Sequence, residues 1–101
     1  MTRDGALRWA EQWVADWNAR DLAAVLAHFE DGVEFTSPRA LAAIGSLRFT
    51  LRRISWDPDT SELAIFYDRD VDGRCDRAAE VLQFGRSGRV ARAEVYHGLL
   101  P

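Results

Sequence analysis

The glutamate in "RAAEVLQF" and the histidine in "AEVYHG" are the two side chains of this chain best suited to acid–base chemistry. They are Glu80 and His97. Both lie in segments that alternate apolar and polar residues, the period-2 pattern of strands. Ala78, Glu80, Leu82 and Phe84 share one face of the first segment. In the second, Ala91, Ala93, Val95 and His97 share the more apolar face, and Val90, Arg92, Glu94 and Tyr96 take the other. With the apolar faces turned inward, a carboxyl and an imidazole enter one interior. A carboxyl buried there has a raised pKa and can donate a proton, and histidine titrates nearest neutrality. Two readings stay open for each residue. Glu80 is a catalytic or ligand-orienting acid, or one half of an ion pair with Arg77 or Arg92. His97 is a base or ligand contact, or a structural histidine with one nitrogen satisfied.

Other candidates carry less chemistry. Ser37 ends the segment "VEFTSP" but has no Gly-x-Ser-x-Gly context and no evident base, so it reads as a strand-end hydrogen bonder. Trp13, Trp17, Phe29, Phe35, Phe49 and Phe66 either line an apolar pocket or fill the core. His28 reads as a solvated flank residue, and Asp16 and Asp21 as helix-end chemistry. Two histidines without close spacing and the single Cys75 predict no metal site, no disulfide and no cofactor.

The elements that must position these residues are legible. The 101 residues make one domain, residues 1–101, near the lower size limit for burying a core. Ala6, Leu7, Ala10, Trp13, Val14 and Trp17 recur at spacings of three and four, which predicts a helix over 4–18 capped by Thr2 or Asp4. Asp21 caps a second helix with Leu22, Val25, Leu26 and Phe29 buried, and Gly32 lies where a left-handed C-terminal residue is favoured. After a helical scrap at Ala40–Ile44 come four alternating segments: Leu47–Trp56, Glu62–Asp70, Arg74–Phe84 and Arg89–Gly98. Turn residues join them at Asp57–Ser61, Asp70–Gly73 and Gly85–Gly88. The expected architecture is α+β: a helical hairpin packed on an antiparallel meander with one wet face. The net charge of -3, with acidic residues interleaved among 13 arginines, argues against nucleic acid. No apolar run approaches 18 residues, so a soluble, cytoplasmic protein without membrane contact is expected.

"WVADWNARDLAAVLAHFEDGVEFTSP" (Trp13–Pro38), "LRFTLRRISWD", "ELAIFYD" and "RAAEVLQFGRSGRVARAEVYHG" together resemble the nuclear transport factor 2-like superfamily, in its SnoaL-like group. The resemblance covers nearly the whole chain. It implies a cone of helices closed over a curved antiparallel sheet, with a pocket inside. It also implies a homodimer through the outer sheet face, where Val81, Gln83, Val90, Arg92, Glu94 and Tyr96 form a mixed patch. Ketosteroid isomerases of this superfamily keep a basic Asp before the strand-end Pro; Ser37 stands there. Their oxyanion-hole tyrosine falls at Trp13, their protonated acid at Glu80, and a pocket-wall aromatic at His97. Only "RALAAIGS" separates Pro38 from Leu47, which implies a truncated third helix and a pocket that is smaller, open on one side, or covered by a partner.

Three functions follow as expectations. The first is binding of an apolar or aromatic small molecule, lined by Trp13, Trp17, Phe35, Ser37, Phe49, Phe66 and Leu82. It requires a connected cavity of roughly 300 Å³ or more. The second is an isomerase-, cyclase- or hydrolase-type enzyme using Glu80 and His97. The third is a dimerisation module with a degenerate pocket.

Overall fold

The computed structural model describes residues 1–33 and 43–99, with the side chains of His97 and Leu99 outside the description. Helix α1 (Arg3–Asn18) starts at an N-cap Thr2, whose hydroxyl accepts from the Gly5 N–H at 3.0 Å. Its Ala6, Ala10, Trp13 and Val14 stripe is buried against the sheet. Helix α2 (Leu22–Ala27) is capped by Asp21, which accepts from the Ala24 N–H at 3.1 Å. It is shorter than the sequence suggests, and Leu26 is 40% exposed rather than buried. The physical reason is competition for backbone groups. Phe29 forms a parallel bridge with Val90: Glu30 N–H donates to the Val90 carbonyl, and Val90 N–H to the His28 carbonyl, both at 2.8 Å. Gly32 does take a left-handed φ of +87°, but in the turn beyond that bridge.

Strands β1 (Leu47–Asp57), β2 (Glu62–Val71), β3 (Arg74–Phe84) and β4 (Val90–Leu99) form one antiparallel sheet in the order β1-β2-β3-β4. Asp72 and Gly73, with φ of +53° and +83°, make the tight turn between β2 and β3. The break between the two helices, at Trp17–Asp21, is set by contacts with the sheet. Trp17 packs on Phe49, with ring centroids 5.6 Å apart. The Asn18 amide donates to the Phe49 carbonyl at 2.9 Å and accepts its N–H at 2.7 Å. A side chain thus pairs with the edge strand β1 as another strand would. Asp21 then starts α2.

Three register shifts curve the sheet: at Arg52 in β1, near Ala91 in β4, and opposite Ala78 in β4. Gly98, in the last of these, has a φ of +89°. The shift at Ala91 overturns one expected face. Strict alternation places Val90 outward, but Val90 pairs with the inward Phe84 and is fully buried. One extra residue in β4 reverses the parity of everything before it. The expected strand over 33–38 and the scrap at 40–44 fall mostly outside the described residues. The third-helix region is therefore represented only by the chain from Ala43. Asp72 holds it by accepting from the Gly45 and Ser46 N–H groups at 2.9 and 2.8 Å.

Candidate functional site

The register stacks the inward face into rungs. Trp56 and Leu63 sit with Leu82 and Ala93; Ile54 and Ile65 with Glu80 and Val95; Leu51 and Tyr67 with Ala78; and Phe49 and Arg69 with Asp76. The first rung is closed by core, with Leu63 and Leu82 fully buried. Leu82, expected to contact a ligand, is part of this packed floor. The second rung carries the one buried charged side chain among the described residues, Glu80, at 7% exposure. Its cross-strand neighbour Val95 faces the same way yet is 50% exposed. The concave face is therefore covered over β1 and β2, where α1 packs, and less covered at β4.

Burial pushes the Glu80 carboxyl up to about 8, and a hydrogen bond with the Tyr67 hydroxyl pulls the other way. At pH 7 about nine-tenths of such a group is protonated. Glu80 Oε2 has no hydrogen-bond partner among the described residues, and the same holds for the indole Nε1 of Trp13, which is 1% exposed. Tyr67 joins them. Its ring lies edge-on to Trp13 at 5.4 Å and tilted on Phe49 at 4.7 Å. Burial first, and then the Glu80 charge, hold its hydroxyl well above the usual phenol range. Tyr67 thus links the Trp13 and Phe49 rings to the Glu80 carboxyl in an apolar setting.

Sequence reasoning missed Tyr67 and chose its neighbour Phe66. Phe66 faces the other way, on the outer sheet face, with the Arg53 guanidinium 3.9 Å from its ring centroid. The parity of Leu63 and Ile65 was the signal that could have found Tyr67. Trp13 and Phe49 lie where expected, stacked at 5.9 Å on the concave side. Trp17 is half-buried beside them and lines a different feature, a cleft of about 40 Å³ with Asp16, Arg20, Val25, Ile44 and Leu47. A second cleft of about 20 Å³ lies on the outer face around Val81, Arg92 and Glu94. Neither touches Glu80, and both are far below the 300–1,000 Å³ or so of a drug-sized site. Phe35, Ser37 and the His97 side chain lie outside the described residues. The register makes Val95, not His97, the direct partner of Glu80.

Asp16 and His28 also differ from expectation. His28 is not a solvated flank residue. Its Nε2 meets Asp16 Oδ2 at 2.8 Å, with the side chains 19% and 13% exposed. Gln12 donates to the other Asp16 oxygen at 2.8 Å. The pair clasps α1 to the end of α2. The ion pairs expected for Glu80 are elsewhere too: Arg77 lies 3.6 Å from Asp68, and Arg92 donates to Gln83. Among the described residues, no three His, Cys, Asp or Glu side chains converge to hold a metal. No described helix is long and apolar enough to cross a membrane.

No family model matches the chain, and no curated protein sequence matches it. Solved structures do. A SnoaL-like protein of unknown function from Burkholderia thailandensis superposes with a TM-score of 0.81 at 27% identity, over 96% of this chain and 97% of that one. A nuclear transport factor 2-like protein of unknown function from Cytophaga hutchinsonii gives 0.68 at 11% identity, over 84% and 82%. The first match spans both chains almost end to end.

Proposed function

This chain belongs to the nuclear transport factor 2-like superfamily in its SnoaL-like form, and from that premise we propose that it binds an apolar small molecule carrying a hydrogen-bond-accepting oxygen. The oxygen meets Glu80 from the side of Val95, and the apolar body lies on the less covered β4 part of the concave face, since Trp13 and Phe49 are themselves buried. One observation carries this reading: a buried, mostly protonated carboxyl with an oxygen that no described residue satisfies. Leaving such a group unpaired costs about 1–3 kcal/mol, which an acceptor on a ligand recovers. Access past Val95 along the less covered side of the concave face replaces the enclosed cavity that the sequence led one to expect.

Tryptophan fluorescence tests the proposal, because Trp13 packs edge-on against Tyr67, the hydrogen-bond partner of Glu80. Flat aromatic ketones are titrated against the hydrocarbons lacking the carbonyl. The ketone is expected to bind more tightly below pH 8 and to lose that advantage above it, as Glu80 ionises. Glu80→Leu should remove the preference, and Glu80→Gln should keep it without the pH dependence. Equal binding of ketone and hydrocarbon at every pH would overturn the reading.

A second reading, catalysis, has Glu80 as its supporting group: an acid near 8 can protonate a developing enolate. Proton–deuterium exchange of an enolisable ketone, lost in Glu80→Leu, is its measurement. We also infer a homodimer through the outer sheet face, where Tyr96 is 53% exposed beside Val81 and Arg92. Native mass spectrometry decides it; a monomer at micromolar concentration rejects it. Cys75, exposed and unpaired, suits a reducing cytoplasm.

A further inference from the structure

The outer face of the sheet carries its own rungs. Arg53, Phe66, Ala79 and Tyr96 make one, and Ser55, Ala64, Val81 and Glu94 the next. Beyond them lie Asp57, Glu62, Gln83 and Arg92 at one end, and Thr50, Asp68 and Arg77 at the other. Helix α1 packs on the concave side, where Trp13 meets Phe49, so this face is open among the described residues. Its middle is apolar and mostly small: Ala64, Ala79 and Val81 are half-buried around the larger Phe66. A ring beside a hollow of alanines can enter the same hollow on a second copy, which is what an isologous contact requires.

The charges around this centre sort by strand. On β1, the Arg53 guanidinium lies 3.9 Å from the Phe66 ring centroid and makes no ion pair among the described residues. On β4, Glu94 accepts from the Tyr96 hydroxyl and likewise makes no ion pair. Farther out, Asp57 on β1 accepts the Asp59 N–H, and Arg92 on β4 donates to Gln83. Asp68 on β2 lies beside Arg77 on β3 at 3.6 Å. Each positive group of β1 or β3 therefore has a negative counterpart on the strand that mirrors it across the middle of the sheet, and the reverse holds for Arg92 and Asp57.

Sheets packed face to face keep their strands roughly aligned, and a two-fold axis then has two choices. An axis along the strands lays β1 of each copy over β4 of the other, and β2 over β3. Arg53 then faces the partner's Glu94, Asp57 the partner's Arg92, and Asp68 the partner's Arg77. An axis across the strands lays each strand on itself, with Arg53 toward the partner's Arg53 and Glu94 toward the partner's Glu94. Like charges across an interface oppose association, so the charge pattern selects the first axis. Four strands about 4.8 Å apart and about 10 residues long present on the order of 600 Å². That approaches the roughly 800 Å² per partner of a standard interface.

We propose that two copies of this chain meet outer face to outer face with the two-fold axis along the strands, and that Arg53 of each copy pairs with the partner's Glu94 to fix that arrangement. The arrangement rests on the homodimer inferred above for this face. The concave faces then point away from each other, and each copy keeps its own open side.

Charge reversal tests it, read by native mass spectrometry and sedimentation equilibrium at micromolar concentration. Arg53→Glu and Glu94→Arg should each weaken the dimer by about tenfold or more, because each sets two like charges against each other. The double variant Arg53→Glu/Glu94→Arg restores opposite charges and should recover most of the loss. Thermal melts check that each chain is folded. Should a reversal fail to fold, the milder Arg53→Gln and Glu94→Gln changes serve, and their effects on dimerisation should be coupled in a double-mutant cycle. A wild-type dimer that tolerates both reversals, a double variant no better than the singles, or uncoupled glutamine variants overturns the arrangement and leaves the homodimer standing. A monomeric wild-type chain overturns both.

Discussion

Glu80→Gln should change the pH dependence of stability more than stability itself. The wild-type carboxyl titrates near 8 in the folded chain, against 4.5 as the ordinary value. Between those limits the folded state holds a proton that the unfolded state has released. Stability therefore falls as pH rises from about 4.5 to about 8 and is flat beyond. The slope is about 1.4 kcal/mol per pH unit, and the whole window amounts to roughly 3–6 kcal/mol. That is a large part of the stability of a domain this size, about 5–15 kcal/mol. Gln is nearly isosteric and does not titrate. At pH 5 the variant should lie within about 1 kcal/mol of wild type. At pH 8.5 it should be the more stable protein by several kcal/mol. Urea melts of both proteins from pH 5 to 8.5 read this directly. With an m-value of about 1–3 kcal/mol/M, the midpoints should separate by about 2 M at the alkaline end. Other titrating groups are common to both chains and cancel in the difference. Parallel curves across the range would show that Glu80 is ionised in the folded state and would remove the basis of the ligand proposal.

Two further outcomes follow from the clasps around α1. Asn18→Ala removes both hydrogen bonds to the Phe49 backbone and should cost about 1–3 kcal/mol in urea unfolding, with early exchange of amide protons along β1. A double-mutant cycle of Asp16→Asn and His28→Gln should give a coupling of about 1–2 kcal/mol, above the surface-pair range; a value near zero would mean that the pair contributes nothing to holding α1 and α2 together.

The residue pattern by itself determined most of the architecture. Thr2 and Asp21 start the two helices, the Asp57–Ser61, Asp70–Gly73 and Gly85–Gly88 turns separate four strands, and Glu80 shares its face with Leu82. These features depend on local chemistry: a cap is satisfied within three residues, and alternation within two. Tertiary structure decided the rest. Val90 turned inward because an extra residue at Ala91 reversed the strand's parity, and bulges are set by sheet curvature rather than by composition. Tyr67 entered the site and Phe66 left it because the sheet, not aromatic character, chooses the buried face. His28 found Asp16 across two helices, a contact between residues 12 apart that no periodicity announces. The raised pKa of Glu80 belongs to the folded chain alone, since desolvation exists only once α1 and the sheet have closed around it.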